Sequence, residues 1–132
     1  MGQAPGIVPP GRSEERLLME VITKVSDITI PHVSIYRNGR IRFSAGATAL
    51  LNLQEDDTVS FYRDENAEWF LKRFRGNVVL KQEHHRKGMM AYHRRFTQAF
   101  LAEMGDGVTA VTCRIATRPN DEGMYALLTT IL

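Results

Sequence analysis

The stretch NGRIRFSAGATALLNLQEDDTVSFY, from Asn38 to Tyr62, decides the predicted fold. It opens on Asn-Gly, the strongest short signal for a β-hairpin, because both turn positions tolerate a positive φ. Apolar and polar residues alternate on both sides of this turn, as they do in strands that bury one face. The alternating apolar residues are Val33, Ile35, Ile41 and Phe43. The sequence therefore predicts two antiparallel strands joined at this turn.

A short helix and a second pair of strands follow the hairpin. Ser44 is a preferred helix N-cap residue, and Asn52 suits the left-handed position that ends a helix. Val59 and Phe61 lie on one face of a predicted strand at 58–62, and a polar loop leads to a return strand at 69–74. The predicted order is strand, turn, strand, short helix, strand, loop, strand.

The second half of the chain repeats this order more loosely. Strands are predicted at 77–82, 88–92, 108–116 and 124–132, with a helix at 94–104. An offset of 49 residues places Gly39 on Gly88 and Phe43 on Tyr92, among other pairs. We therefore predict an internal duplication, with pseudo-repeat one at 28–75 and pseudo-repeat two at 77–132. Because identities are few, a chance similarity is the alternative.

The fold class that these elements predict is α+β and mostly β. One unit of four strands and a short helix cannot cover its own apolar face, whereas two such units can close a small barrel. An amphipathic helix at 13–25, capped by Ser13, is predicted to precede the barrel; its apolar face contains Leu17, Leu18, Val21, Ile22 and Val25. Residues 1–12 are rich in proline and glycine and predict an arm outside the single domain 13–132.

The apolar face of helix 13–25 leaves two oligomeric states open. The helix can close one end of the barrel, which gives a monomer with an internal pseudo-dimer. It can also pair two chains into a homodimer. The sequence does not discriminate between these arrangements.

Composition narrows the protein class without naming an activity. The chain has 132 residues, 17 Lys and Arg against 15 Asp and Glu, and one cysteine, Cys113. A single cysteine excludes an internal disulfide and fits a reducing, cytoplasmic setting. No apolar run approaches the roughly 20 residues that cross a bilayer, so no membrane partner is expected. The small positive charge permits an anionic partner.

No catalytic or metal-binding pattern emerges from the sequence. His84, His85, His93 and Cys113 lack the paired spacings of zinc ligands, and Cys113 lies in an apolar strand where a small buried residue is expected. Trp69 belongs to an alternating strand and is interpreted as a core residue. We therefore expect no metal, no cofactor and no enzymatic activity.

Residues 33–73, about 40 of the 132, resemble the AbrB-like, swapped-hairpin family of bacterial transition-state regulators and antitoxins. The resemblance lies in Gly39-Arg40-Ile41-Arg42-Phe43, Leu51-Asn52-Leu53 and Asp56-Asp57-Thr58-Val59, in that order. It implies a barrel, which family members usually build as interlocked homodimers that bind double-stranded DNA. The sequence departs from the family at Phe43-Ser44, where the family has an aliphatic residue and proline, and at Thr48, where it has a basic residue. Of the family's DNA contacts, only Arg40 carries over by position.

Basic residues at two corresponding turns complete the functional prediction. The predicted nucleic-acid-binding residues are Arg37, Arg40, Arg42, Arg86 and Lys87. Phosphate contacts by such residues dominate nucleic-acid affinity. The favoured function is a small, non-enzymatic, nucleic-acid-binding or transcription-regulatory protein of AbrB-like type. The alternative is a protein-interaction module that kept the barrel without the DNA-binding surface, which the uncharged helix at 45–49 favours.

Overall fold

The structure, a computed structural model, describes residues 29–74, 76–83 and 87–129. The predicted arm 1–12, the predicted helix 13–25, Arg86 and the last three residues lie outside the described residues. The elements are β1 (His32–Tyr36), β2 (Arg40–Phe43), α1 (Ala45–Leu51), β3 (Thr58–Arg63), β4 (Trp69–Arg73), β5 (Val78–Val79), β6 (Lys81–Gln82), β7 (Met89–Tyr92), α2 (Arg94–Met104), β8 (Ala110–Ile115) and β9 (Tyr125–Leu128).

The nine strands form one antiparallel sheet that nearly closes into a barrel. Their order is β5-β3-β4-β9-β8-β1-β2-β7-β6. β5 and β6 lie at opposite ends of this order, yet only Leu80 separates them in the chain. The Leu80 amide donates to the Asp57 carbonyl, and the Leu80 carbonyl accepts from the Asp56 amide, both at 2.9 Å. The strand predicted at 77–82 is therefore split, because this segment passes from β3 to β7 at Leu80.

The hairpin turn and the helix cap predicted from residues 38–62 are present in the structure. The Gly39 amide donates to the Tyr36 carbonyl at 3.0 Å, and Gly39 has a φ of +105°. The Ser44 hydroxyl accepts from the Ala47 amide at 3.1 Å, which caps α1. Asn52 ends α1 with a φ of +51°. These contacts confirm the hairpin and the short helix.

The core combines the inner faces of the strands with one face of α2. Val33, Ile35, Ile41 and other alternating strand residues are fully buried, as the sequence pattern predicts. α2 packs on the sheet through an aromatic cluster formed by Phe61, Trp69, Phe96 and Phe100. The rings of Phe61 and Phe96 stack with centroids 4.1 Å apart, and Trp69 meets Phe100 edge-on at 5.3 Å. Trp69 is therefore a core residue.

Four strand pairs join the first half of the chain to the second. They are β1 with β8, β2 with β7, β3 with β5, and β4 with β9. Two glycines also make matching approaches to the helices. A Cβ placed on Gly39 would lie 3.2 Å from the Arg94 Cα at the start of α2, and one on Gly88 would lie 2.3 Å from the Phe43 carbonyl oxygen, two residues before α1 begins. None of the described helices is long and apolar enough to cross a membrane.

Candidate nucleic-acid interface

The β1–β2 turn lies against the start of α2, and both segments carry arginines. The His93 amide donates to the Gly39 carbonyl at 2.8 Å, which fixes the turn beside the first residues of the helix. Arg37 and Arg40 flank the contact on the turn, and two exposed arginines flank it in the first helical turn. We call the group the arginine cluster; its members are Arg37, Arg40, Arg94 and Arg95.

The start of α2 carries positive charge where helices ordinarily avoid it. His93 caps the helix, with its Nδ1 accepting from the Phe96 amide at 3.1 Å. Arg94 and Arg95 follow directly, and the first turn contains no acidic residue. Because the helix dipole is positive at this end, each arginine costs about 0.3–1 kcal/mol. Basic residues at a helix N-terminus that do not stabilise the fold are typical of a functional surface.

An exposed tyrosine adjoins the arginine cluster. Tyr92 lies directly opposite Arg40 in the β2–β7 pair and is 62% exposed. It also precedes the N-cap His93, so its side chain is near the start of α2. A phenol can donate to a phosphate oxygen, and its ring can stack on an unpaired base. The cluster therefore combines positive charge with an aromatic contact.

Glu83 forms ion pairs with two of the predicted nucleic-acid-binding residues, Arg40 and Arg42. Its carboxylate lies 2.7 Å from the Arg42 guanidinium and 3.8 Å from that of Arg40. Arg42 is therefore an ion-paired residue rather than a free phosphate ligand. The Arg40 side chain is 38% exposed, and its buried Nε has no hydrogen-bond acceptor in the described part of the chain. One carboxylate for two arginines leaves an excess of positive charge here.

Lys87 lies away from the arginine cluster. It is exposed and precedes Gly88, which packs on the Phe43 carbonyl at the start of α1. Arg40 and Phe43 are the two ends of β2, so Lys87 is about 10 Å from the cluster along that strand. Of the predicted site residues, the structure thus brings together Arg37 and Arg40, and it separates Lys87 from them.

Sequence reasoning did not select Arg94, Arg95 or Tyr92. Two adjacent arginines directly after a helix N-cap were the available signal, since acidic residues are the ordinary choice there. The start of α2 meets the β1–β2 turn through a tertiary contact, which no local sequence pattern indicates.

Cys113 and His93, which could in principle be reactive, contribute to the core and to a helix cap. Cys113 is fully buried, and its burial raises the pKa of the thiol to about 12, so it carries no thiolate near neutral pH. His93 is a helix cap. Among the described residues, no group of three or more His, Cys, Asp or Glu side chains could hold a metal ion.

A row of apolar side chains covers part of the outer face of the sheet. Tyr62 lies opposite Phe70, and Phe70 lies opposite Ala126. Since the neighbouring Leu71 is fully buried, these three side chains point outward. Leu128, which is exposed, lies two residues beyond Ala126 on the same face. We call this group the apolar row.

Phe74 has an unusual backbone conformation at the end of β4. Its φ is +74°, in the left-handed region, which costs a side chain of this size about 1–2 kcal/mol. The ring is 54% exposed, and the Arg73 guanidinium lies 4.0 Å from its centroid. The strained backbone therefore holds an aromatic ring at the surface rather than in the core.

Comparison with protein-family models, with curated proteins and with solved structures finds no match for this chain. Function is therefore inferred from the chemistry of the described residues.

Proposed function

We propose that this protein binds double-stranded DNA through the arginine cluster, as a non-enzymatic regulator of AbrB-like type in a reducing, cytoplasmic setting. One observation carries the proposal: the β1–β2 turn, which carries Arg37 and Arg40, packs through Gly39 on the start of α2, which carries Arg94 and Arg95. Clustered arginines on one surface are the electrostatic footprint of nucleic-acid binding.

The charges of the arginine cluster are largely uncompensated. Within residues 29–74, 76–83 and 87–129, no carboxylate forms an ion pair with Arg37, Arg94 or Arg95. Their position beside the positive end of α2 adds backbone amides that favour a bound anion. Phosphate oxygens therefore suit the start of α2. Arg37 also lines a cavity with Gln98 and Asp106, so one carboxylate lies near the edge of this surface.

We also propose that the chain is a pseudo-dimer produced by internal duplication. Under a twofold relation, β2 and β7 correspond, as do β4 and β9, and each of these pairs is antiparallel. The pairing of β1 with β8 then corresponds to that of β5 with β3. The approaches of Gly39 to α2 and of Gly88 to α1 correspond as well. A monomer would then supply both halves of the barrel.

The proposed duplication explains why one DNA-binding surface is expected rather than two. The start of α2 carries two arginines, whereas the corresponding start of α1 reads Ala45-Gly46-Ala47 and has no charge. The two related positions have therefore diverged in charge. DNA is expected to contact the α2 side.

Fluorescence anisotropy of a labelled duplex, titrated with protein at several salt concentrations, tests the proposal. Four phosphate contacts give a slope of about −3.6 for log K against log salt, or roughly 150-fold weaker binding between 50 and 200 mM. The double variant Arg94→Ala, Arg95→Ala is expected to halve this slope. The control Lys72→Ala, Arg118→Ala removes two exposed positive charges elsewhere and should leave the slope nearly unchanged.

Equal effects of the two double variants would show that net charge, rather than the arginine cluster, governs binding. Absence of binding at low salt would refute the proposal altogether.

A protein-interaction module is the second candidate, because the apolar row is exposed on the outside of the barrel. An apolar surface rimmed by polar residues is typical of a protein-binding site. Tyr62→Gln, which leaves the net charge unchanged, would abolish binding to such a partner without changing DNA affinity. A pull-down in which Tyr62→Gln and the unmodified protein retain the same partners would exclude this use of the row.

A further inference from the structure

A groove of about 410 Å³ opens between the end of α1 and the end of β4. Leu50 and Tyr125 form half-buried walls, and the exposed ring of Phe74 stands at the rim. Lys72 and Arg73 line the same side; Arg73 is ion-paired with Asp57 at 3.4 Å, so Lys72 supplies the positive charge that this pairing leaves. The groove therefore offers an apolar floor beside a basic edge.

The strained backbone of Phe74 indicates that its exposed ring takes part in binding. A left-handed φ of +74° is unfavourable for phenylalanine, and glycine or asparagine would fit there without strain. Strain of this kind clusters at binding sites, where it presents a side chain to a ligand. The stability of the fold therefore does not account for an exposed phenylalanine at position 74.

The described chain begins at the first turn of α1, and the last turn of this helix lines the groove. The Thr29 carbonyl oxygen lies against Gly46 so closely that a Cβ there would be 2.3 Å away. The Ser44 hydroxyl donates to the Ile30 carbonyl at 2.8 Å and holds the chain at the start of α1. Gly46 and Leu50 are four residues apart and share one face of α1. Thr29 therefore lies over the face of α1 whose last turn lines the groove.

We propose that the segment 13–25 of the same chain docks in this groove as an amphipathic helix. Thirteen helical residues span about 20 Å, and three connecting residues reach about 10 Å. Its apolar face, centred on Val21, would cover Leu50 and Phe74. The segment carries Glu14, Glu15 and Glu20 against Arg16 and Lys24, and this net charge of −1 complements Lys72. Docking in this way goes beyond the proposed DNA binding and selects the monomeric arrangement.

A nitroxide label on the segment, in the full chain, tests the docking. Thr23→Cys places the label opposite the predicted apolar face, and Cys113 resists labelling because it is buried. The labelled, ¹⁵N-enriched protein is diluted into unlabelled protein so that only contacts within one molecule broaden amide signals. We expect broadening at 46–52 and 72–74. The loop at 105–108 should broaden less than the groove residues, because it lies at the opposite end of β1 from Thr29.

Two outcomes would overturn the proposal. One is broadening that appears only when the label and the ¹⁵N enrichment are on different molecules, which would make a second copy the occupant. The other is broadening outside the groove residues or no broadening at all.

A pair of variants separates docking from folding. Phe74→Gly relieves the backbone strain and removes the ring, so it should reduce the broadening at Leu50 without lowering the Tm. Tyr62→Ala removes another exposed aromatic ring, which does not line the groove, and should leave the broadening unchanged. Full broadening in Phe74→Gly would contradict the role assigned to this ring.

Discussion

Glu83→Gln should tighten DNA binding, because Glu83 is the carboxylate that neutralises the β2 arginines. The change removes one negative charge and keeps a hydrogen-bond acceptor of nearly the same size. Arg42, now 2.7 Å from this carboxylate, is free to reach a phosphate. One additional phosphate contact steepens the slope of log K against log salt by about 0.9, which at 0.1 M salt is about 8-fold tighter binding.

The stability cost of this change is small enough to leave the DNA measurement interpretable. Arg42 and Glu83 form a partly exposed ion pair, with side-chain exposures of 28% and 12%. Such a pair contributes about 1 kcal/mol, which corresponds to roughly 4 °C in Tm for a domain of this size. Thermal unfolding followed by circular dichroism would check that the variant remains folded at the assay temperature.

Glu103→Gln is the matched control for this prediction. Its carboxylate lies 2.7 Å from the Arg63 guanidinium, in an ion pair of the same length at the aromatic cluster. Both variants raise the net charge by one, so a general electrostatic effect would appear in both. If Glu83→Gln binds DNA no more tightly than Glu103→Gln, the assignment of phosphate contacts to this side of the barrel is wrong.

Three further changes test the fold. Phe100→Ala empties a fully buried position between Trp69 and Phe96 and should lower the free energy of unfolding by about 3–5 kcal/mol; an unchanged urea midpoint would contradict this packing. Ser44→Ala removes the cap of α1 and the hydrogen bond to Ile30, and a loss of about 1–2 kcal/mol is expected in the same assay, whereas a neutral result would show that the cap is dispensable. Burial raises the pKa of Cys113 to about 12, above its value of 9.0 in an unfolded chain. The thiol therefore stabilises the fold below pH 9 and loses that contribution as the pH rises towards 12, so Cys113→Ala should show a shallower alkaline loss of stability than the unmodified protein.

Local sequence signals predicted the elements of the fold well. Asn38-Gly39, the Ser44 cap and the terminal Gly105 each act within a few residues, and the structure has a hairpin and two helices at those positions. The strand at 77–82 was predicted as continuous because its interruption depends on hydrogen bonds from Leu80 to a distant segment. A local sequence pattern does not predict barrel closure of this kind, because closure depends on contacts between distant segments.

The candidate site was only partly predictable, for the same physical reason. Arg37 and Arg40 were identified from a turn motif, but their proximity to Arg94 arises from packing between segments far apart in the chain. The pairing of Arg42 with Glu83 likewise depends on how the strands align. Charge content and turn chemistry can therefore indicate a basic surface, whereas the tertiary fold decides which of its arginines stay free.

The most direct test of the account locates the DNA on the protein. Amide signals of the ¹⁵N-enriched protein would be followed as a short duplex is added at low salt. DNA binding by the arginine cluster predicts the largest shifts at 37–40 and 92–95, and their loss as salt is raised. Shifts confined to the apolar row at Tyr62, Phe70 and Ala126, or the absence of any shift, would contradict the claim that this surface binds DNA.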